Sequence, residues 1–307
     1  MRRSAGGLLV LVLVLASSPA SADLEAPSLR IGDFWTYWTN TIASTGLTLT
    51  GHVTFRLDGQ QTFALNGTPY DVFRIAVQGN GDAGGDVEFE GNSVSVAGTW
   101  LLVGEEFLGI EALKIVSSYI DLRADGETIP FQQDFALRVQ SETTFEILED
   151  RWRFPVDVGD TGHVIERFNA TEDFFVRADP LSKTFHSNVS GVRTLGYRVE
   201  ARGNVQVRAG TFDAYRINET FPDGRFVHLF FAPTIGNNVR SETFNETGVR
   251  IAVTDLESYR YQALESPTFL GLGVLHWSIA GAAGAAIGIA LILRRWRRDH
   301  GGGTVPP

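Results

Sequence analysis

The sequence predicts an all-β protein: antiparallel curved sheets in two related lobes, framed by an N-terminal signal peptide and one C-terminal transmembrane helix. Three observations carry this. Apolar and polar residues alternate along most of the chain, and glycine-bearing turn dipeptides recur between the alternating runs. Two apolar stretches, Leu8 to Ala16 and Phe269 to Leu293, bracket the rest, each with arginines on one flank only.

The front stretch follows Arg2 and Arg3 and ends at Ala20-Ser21-Ala22, the layout of a cleaved secretory signal over 1–22. The next 245 residues divide near Pro155 into an expected first lobe, 23–152, and a second, 153–267. From Leu47, the apolar Leu47, Leu49, Val53, Phe55 and Leu57 alternate with Thr48, Thr50, His52, Thr54 and Arg56, which is a half-buried strand. Tyr197, Val199, Ala201, Val205, Val207 and Ala209 form a similar stripe opposite Arg198, Glu200, Arg202, Asn204, Gln206 and Arg208, with Gly203 marking a bulge or bend. Further strands are expected at Phe34 to Trp38, Tyr70 to Val77, Ser93 to Leu101, Phe135 to Val139, Phe226 to Ala232 and Val249 to Val253. Turns are expected at Asp58-Gly59, Asn66-Gly67, Asp125-Gly126 and Asp223-Gly224. Glu105 to Val116 reads equally as helix or strand, since Gly109 interrupts its period.

A weak duplication supports paired lobes. Tyr70-Asp71-Val72-Phe73-Arg74-Ile75 resembles Phe212-Asp213-Ala214-Tyr215-Arg216-Ile217, and Gly32-Asp33 and Gly159-Asp160 precede them.

The back stretch has no Asp, Glu, Lys or Arg from Ser266 through Leu293, more than the roughly 20 residues a hydrocarbon core requires. Arg294, Arg295, Arg297 and Arg298 follow it and predict a cytoplasmic tail over 294–307. The helix over 268–293 then holds the preceding body outside the cell membrane. Gly284 and Gly288 sit at the spacing through which a second helix can approach, which makes them the candidate oligomer contact. Pro267-Thr268-Phe269 with the span and arginines also resembles an archaeal sorting tail that is cut and replaced by lipid; a retained helix is the first reading.

Composition narrows the function classes. Residues 23–267 hold 35 acidic and 20 basic side chains, a net charge of −15, which argues against a nucleic-acid partner. The absence of cysteine removes disulfides and thiol chemistry. Asn66, Asn169, Asn188, Asn218 and Asn245 each open an Asn-x-Ser/Thr triplet without proline, making them glycosylation candidates.

No nucleophile elbow, zinc helix or phosphate loop occurs, so no catalytic, cofactor or metal residues are assigned. His52, His163, His186 and His228 are scattered, and Asn80 to Glu88 has incomplete calcium-loop spacing and reads as a hairpin loop.

Three segments carry a family resemblance. Val207-Arg208-Ala209-Gly210-Thr211-Phe212-Asp213-Ala214-Tyr215-Arg216-Ile217, Arg153 to Asp160 (RFPVDVGD) and Phe230 to Arg240 (FFAPTIGNNVR) resemble exported prokaryotic proteins of the DUF3108 and TapB-like group. The resemblance covers about Arg153 to Arg240 and implies a curved antiparallel sheet similar to lipoprotein carriers, with no catalytic residues to carry over. Asp160-Thr161-Gly162 stand where an aromatic usually follows the glycine, here Gly159, and Phe230-Phe231 stand in place of tyrosines.

The resulting expectation is a membrane-anchored extracytoplasmic β protein with a non-catalytic binding role, its ligand a lipid or other hydrophobic molecule. The alternative is a glycosylated envelope structural or adhesion module whose partner is an envelope component, and the third reading is a hydrolase.

Overall fold

The computed structural model describes residues 26–43, 46–89, 92–110, 113–152, 154–179 and 181–261. The expected signal peptide, the helix over 268–293 with Gly284 and Gly288, and the arginine flank lie outside the described residues. Within them, no helix is long and apolar enough to cross a membrane.

The chain is all-β and antiparallel. Its strands are β1 (Phe34–Ile42), β2 (Thr48–Leu65), β3 (Thr68–Phe89), β4 (Asn92–Gly109), β5 (Ile115–Ile129), β6 (Asp134–Asp150), β7 (Thr161–Ala178), β8 (Leu181–Val207), β9 (Gly210–Thr220), β10 (Phe226–Ala232), β11 (Asn237–Phe244) and β12 (Arg250–Arg260), with a 3₁₀ turn at Pro233–Ile235. Each strand pairs with its successor, and β12 returns to pair with β1, from Phe34↔Arg260 to Thr41↔Ala252. The result is a closed barrel.

One ring of inward residues shows the closure. From Thr39, cross-strand partners run through Gly51, Gly81, Trp100, Ala124, Leu137 and Val176 to Lys183 on β8. In the other direction they run through Thr254, Ser241, Leu229 and Ile217 to Val199 on the same strand. The two arrivals lie at different heights on β8, the stagger that tilted strands impose when a sheet closes. Apart from Lys183 and the glycines, the side chains of this ring are at most 8% exposed.

Glycine pairs let the wall bend. Gly51 faces Gly81, and Gly98 faces Gly126. A Cβ on Gly51 would stand 2.6 Å from the Gly81 Cα, and one on Gly98 would stand 2.6 Å from the Gly126 Cα, so neither pair admits a side chain. Trp100 occupies the inner space beside the first pair, its indole N–H donating to the Thr50 carbonyl at 3.1 Å.

Several local expectations give way to longer strands. Asp125-Gly126 lies in mid-β5, and Asn80 to Glu88 lies within β3. Asp58-Gly59 is a bulge between Leu57 and Gly59 on β2, because the strand continues to Leu65. Asn66-Gly67 is a tight turn with φ of 52° and 81°, as its sequence predicts. Glu105 to Val116 resolves as the end of β4, a turn near Ile110, and the start of β5. The bulge expected near Gly203 falls between Val199 and Ala201.

The expected two lobes are one continuous sheet. β6 and β7, on either side of the Pro155 division, pair from Phe135↔Ala178 to Asp150↔Val164, since closing the sheet satisfies strand edges that separate sheets would expose. The halves nevertheless match in detail. Gly32 and Gly159 donate to the Leu57 and Val199 carbonyls at 2.8 and 2.9 Å, and the Leu57 and Val199 amides donate to the Asp33 and Asp160 carbonyls at 2.9 Å. The side chains of those two aspartates accept from the amides of Arg30 and Asp157. A bulge follows in both strands, and Leu57↔Ile75, Gly59↔Arg74 on one side correspond to Val199↔Ile217, Ala201↔Arg216 on the other.

Candidate functional site

At the barrel end that carries both Ala26 and Tyr261, the segment between β6 and β7 folds inward. Trp152, Phe154 and Val156 are at most 6% exposed, and Trp152 stacks on Tyr197 with ring centroids 5.2 Å apart. Gly162 makes this possible, since a Cβ there would stand 3.0 Å from the Trp152 ring and 2.5 Å from the Arg151 carbonyl oxygen. In the matched position of the first half stands Trp35, whose own indole fills the space and donates to the Ile235 carbonyl at 2.9 Å. At Gly162 the ring is thus supplied by Trp152 from the preceding segment.

Near this plug lies a cluster of buried charge. Lys114 Nζ is 3.4 Å from Asp150 Oδ2, Arg193 Nε donates to Glu166 Oε1 at 2.5 Å, and the Tyr197 hydroxyl donates to Glu219 Oε1 at 3.3 Å. Burial pushes the Glu219 carboxyl up to about 8, against the pull of Arg193 and Lys114. Burial raises Glu166 as well despite Arg193, and lowers Lys114 despite Asp150. Biasing Glu219 toward its neutral form relieves the crowding of carboxyl groups in this interior. Lys114, Glu166, Tyr197 and Glu219 are at most 3% exposed, while the Arg193 and Asp150 side chains, 24% and 13% exposed, carry the cluster toward the surface.

A second buried acid stands apart. Glu106 on β4 is 0% exposed, neither carboxyl oxygen has a hydrogen-bond partner, and burial alone pushes its acidity constant up to about 8. Its cross-strand neighbours are Ile75 and Ser118. Sequence reasoning missed Glu106, Lys114, Glu166 and Glu219. A charged residue at an inward position of an alternating strand, as at Glu106 between Gly104 and Leu108, was the available signal.

The open feature is on the outer wall. After their bulges, the β2–β3 and β8–β9 hairpins fold back over the barrel. The second docks closely: Ala209 N–H donates to the Leu256 carbonyl at 2.9 Å, Arg208 lies 4.3 Å over the Trp38 ring, Arg240 reaches the Gln206 carbonyl at 3.3 Å, and Phe212 meets Tyr259 edge-on. The first is held by Phe63 stacked on Phe107 at 5.1 Å. Between its tip, Leu65 and Asn66, and strands β6 to β8 remains a cleft of about 280 Å³. Phe168, Leu65 and Val192 give this cleft apolar walls, the Glu146–Arg167 pair at 2.6 Å a charged one, and Asn66, Asn169 and Ser190 further polar groups. Such a surface suits a small ligand with both apolar and polar parts.

Of the sequence-predicted residues, the structure brings Asn66 and Asn169 to this cleft. Asn66, Asn169 and Asn188 are exposed; Asn218 is half-buried with its amide 3.4 Å from Glu200, and the Asn245 Oδ1 accepts from Thr247 and Val249 in its own turn. The histidines do not converge. His163 lies opposite Gly196 on β8, ten positions along that strand from His186, on the order of 33 Å at strand rise. His228 is three strands from His163 through Asn218 and Arg198, roughly 14 Å at strand spacing. His52 pairs with Glu257 at 2.6 Å and His186 with Asp173 at 2.8 Å. Among the described residues no group of three metal-ligating side chains forms.

No family model matches this chain, and no curated protein does. Among solved structures, a Bacteroides fragilis protein with a YmcC-like fold aligns over 78% of this chain and 100% of its own, at 12% identity and a TM-score of 0.30.

Proposed function

We propose that this chain is a membrane-anchored extracytoplasmic β-barrel with a non-catalytic binding role, built from two related six-stranded repeats, and that its ligand seat is the outer cleft under the first hairpin. The observation that carries this is the difference between matched halves: the second hairpin is pinned to the wall, and the first leaves a lined cleft in the corresponding place. A ligand held inside the barrel would need room that the inward side chains already fill. The three segments that resemble the DUF3108 and TapB-like group all lie in the second half, around the plug and the docked hairpin, and agree with an exported scaffold.

Anchoring at one end fits the geometry. Ser28 N–H donates to the Tyr261 hydroxyl at 3.0 Å, so the described body begins and ends at the same end of the barrel, seven positions before Thr268, where the expected helix opens. Phe131, 74% exposed, sits at the opposite end. Because the chain lacks cysteine, Phe131→Cys and Thr304→Cys report topology cleanly: an impermeant maleimide should label the first on intact cells and the second only after lysis. The reverse pattern rejects the anchoring. For binding, native mass spectrometry of the full chain extracted from its membranes should show a retained ligand that Ser190→Trp, which fills the cleft, removes. A ligand-free wild type rejects the cleft and leaves the envelope structural module.

A further inference from the structure

We infer, on the basis of the membrane anchoring proposed above, that the end of the barrel from which the chain leaves rests on a zwitterionic phospholipid surface, through two matched turns that present Ile31 and Val158 to it. The turns are built alike. The Asp33 and Asp160 amides donate to the Arg30 and Asp157 carbonyls, each at 3.0 Å, and Gly32 and Gly159 take φ of 94° and 100°. The Asp33 and Asp160 carboxylates accept from the Arg30 and Asp157 amides at 2.9 and 2.8 Å, which locks each turn from within. At the second position of each stands a β-branched aliphatic side chain, 56% exposed at Ile31 and 46% at Val158. Two fixed apolar tips therefore project from one end of the barrel.

Their placement selects the occupant. β1 and β7 run in the same direction in an antiparallel barrel, so the turns that open them stand at the same end. Ser28 meets Tyr261 there, and Thr268, where the expected membrane helix opens, follows seven positions later. Seven extended residues reach at most about 25 Å, so this end cannot stand far from the lipid. Ile31 lies on the side of this exit, whereas Val158 opens the strand six places around the wall, on the opposite side of the rim and roughly 20 Å away at ordinary strand spacing. The tether alone brings Ile31 near lipid; Val158 reaches it only if the barrel stands upright on its end. The β2–β3 and β8–β9 hairpins lie back over the wall and leave the rim clear. Charge agrees with a zwitterionic surface: around the turns the exposed Arg30, Arg151 and Arg260 offset Glu149, Asp157 and Asp160, in a body whose net charge is −15. Two shallow apolar contacts bind weakly by themselves, but a tether holds them at an effective concentration on the order of millimolar.

A fluorophore at the far turn tests the contact. The full chain, which lacks cysteine, is reconstituted into phosphatidylcholine vesicles whose headgroups carry a nitroxide quencher, with bimane on Thr161→Cys, exposed at the start of β7, or on Phe131→Cys at the opposite end. Flotation with the vesicles reads anchoring, and quenching reads docking. Bimane at position 161 should be quenched at least about twofold more than at position 131, since a tip seated at headgroup depth brings the nitroxide within collision range. Adding Val158→Asp, at an exposed position, should return position 161 to the level of position 131 while the chain still floats and its circular dichroism spectrum is unchanged. A floating chain with equal quenching at both positions overturns the docking and leaves the anchoring intact. Quenching at 161 that survives Val158→Asp also overturns it, and a chain that does not float removes both readings.

Discussion

Replacing Glu106 by leucine should stabilise the barrel strongly and in a pH-dependent way. The matched position in the second half, opposite Ile217 as Glu106 is opposite Ile75, is already Leu229. Glu106 is fully buried without a partner for either oxygen, and its acidity constant rises from an ordinary 4.5 to about 8. A raised carboxyl value means the folded state holds a proton that the unfolded state releases above pH 4.5. The stability tied to this group is therefore complete below about 4.5 and falls as pH climbs to 8. At about 1.4 kcal/mol per pH unit, the loss by pH 8 has a ceiling of about 5 kcal/mol. Leucine removes that loss and the roughly 1–3 kcal/mol cost of an unbonded buried acid. The expected net gain is about 3 kcal/mol at pH 8, a Tm higher by ~6–12 °C for a body of this size, shrinking to about 1 kcal/mol at pH 4. Surface carboxylates such as Asp58 and Asp121, held low by neighbouring arginines, titrate in both proteins and cancel in the difference. Thermal melts by near-ultraviolet circular dichroism at pH 4 and pH 8 measure it. A loss of stability at pH 8, or the same gain at both pH values, would refute the reasoning.

Other outcomes follow from the same packing. Gly81→Ala places a Cβ 2.0 Å from the Thr50 carbonyl oxygen and should cost roughly 2–4 kcal/mol in denaturant titrations, whereas Gly203→Ala, with open space around it, should change stability by under about 0.5 kcal/mol. Arg193→Met strands Glu166, 2% exposed, and should destabilise by about 3–5 kcal/mol, with part of the loss recovered by adding Glu166→Gln. Trp152→Ala opens a void over Gly162 and beside Tyr197 and should cost about 3–5 kcal/mol, read as a lowered Tm. In a host with N-glycosylation, glycopeptide mass spectrometry should find sugar on Asn66, Asn169 and Asn188 and none on Asn218, whose side chain is packed against Glu200.

The alternation visible in the sequence is real, and its limits are physical. Leu47, Leu49, Val53, Phe55 and Leu57 all point into the core as the period-two pattern requires. Along β8 the stripe is equally regular, yet Tyr197 and Val199 face the interior while Val205 and Val207 lie on the other side of the sheet. The bulge after Val199 transfers the pattern from one face to the other. Alternation cannot show such a transfer, because both faces of these hairpins are apolar-capable once the hairpin folds back over the wall. Closure was hidden for a different reason. β1 and β12 meet across more than 200 residues, and neither carries a local sign of its partner. Asp125-Gly126 reads as a turn by composition but pairs with Gly98 at a bend, where glycine serves close approach and not a positive φ. The duplicated aromatic-Asp-x-aromatic-Arg-Ile segments were legible, and they occupy matched registers. The cleft was not, since it is defined by how far one hairpin tip stands from strands β6 to β8.

Residue-resolved hydrogen exchange tests barrel closure most directly. The account predicts that amides of β1 (Phe34–Ile42) and β12 (Arg250–Arg260) are protected together with those of β4 and β5. Fast exchange at alternate positions along both β1 and β12, the mark of two free edges, would contradict it.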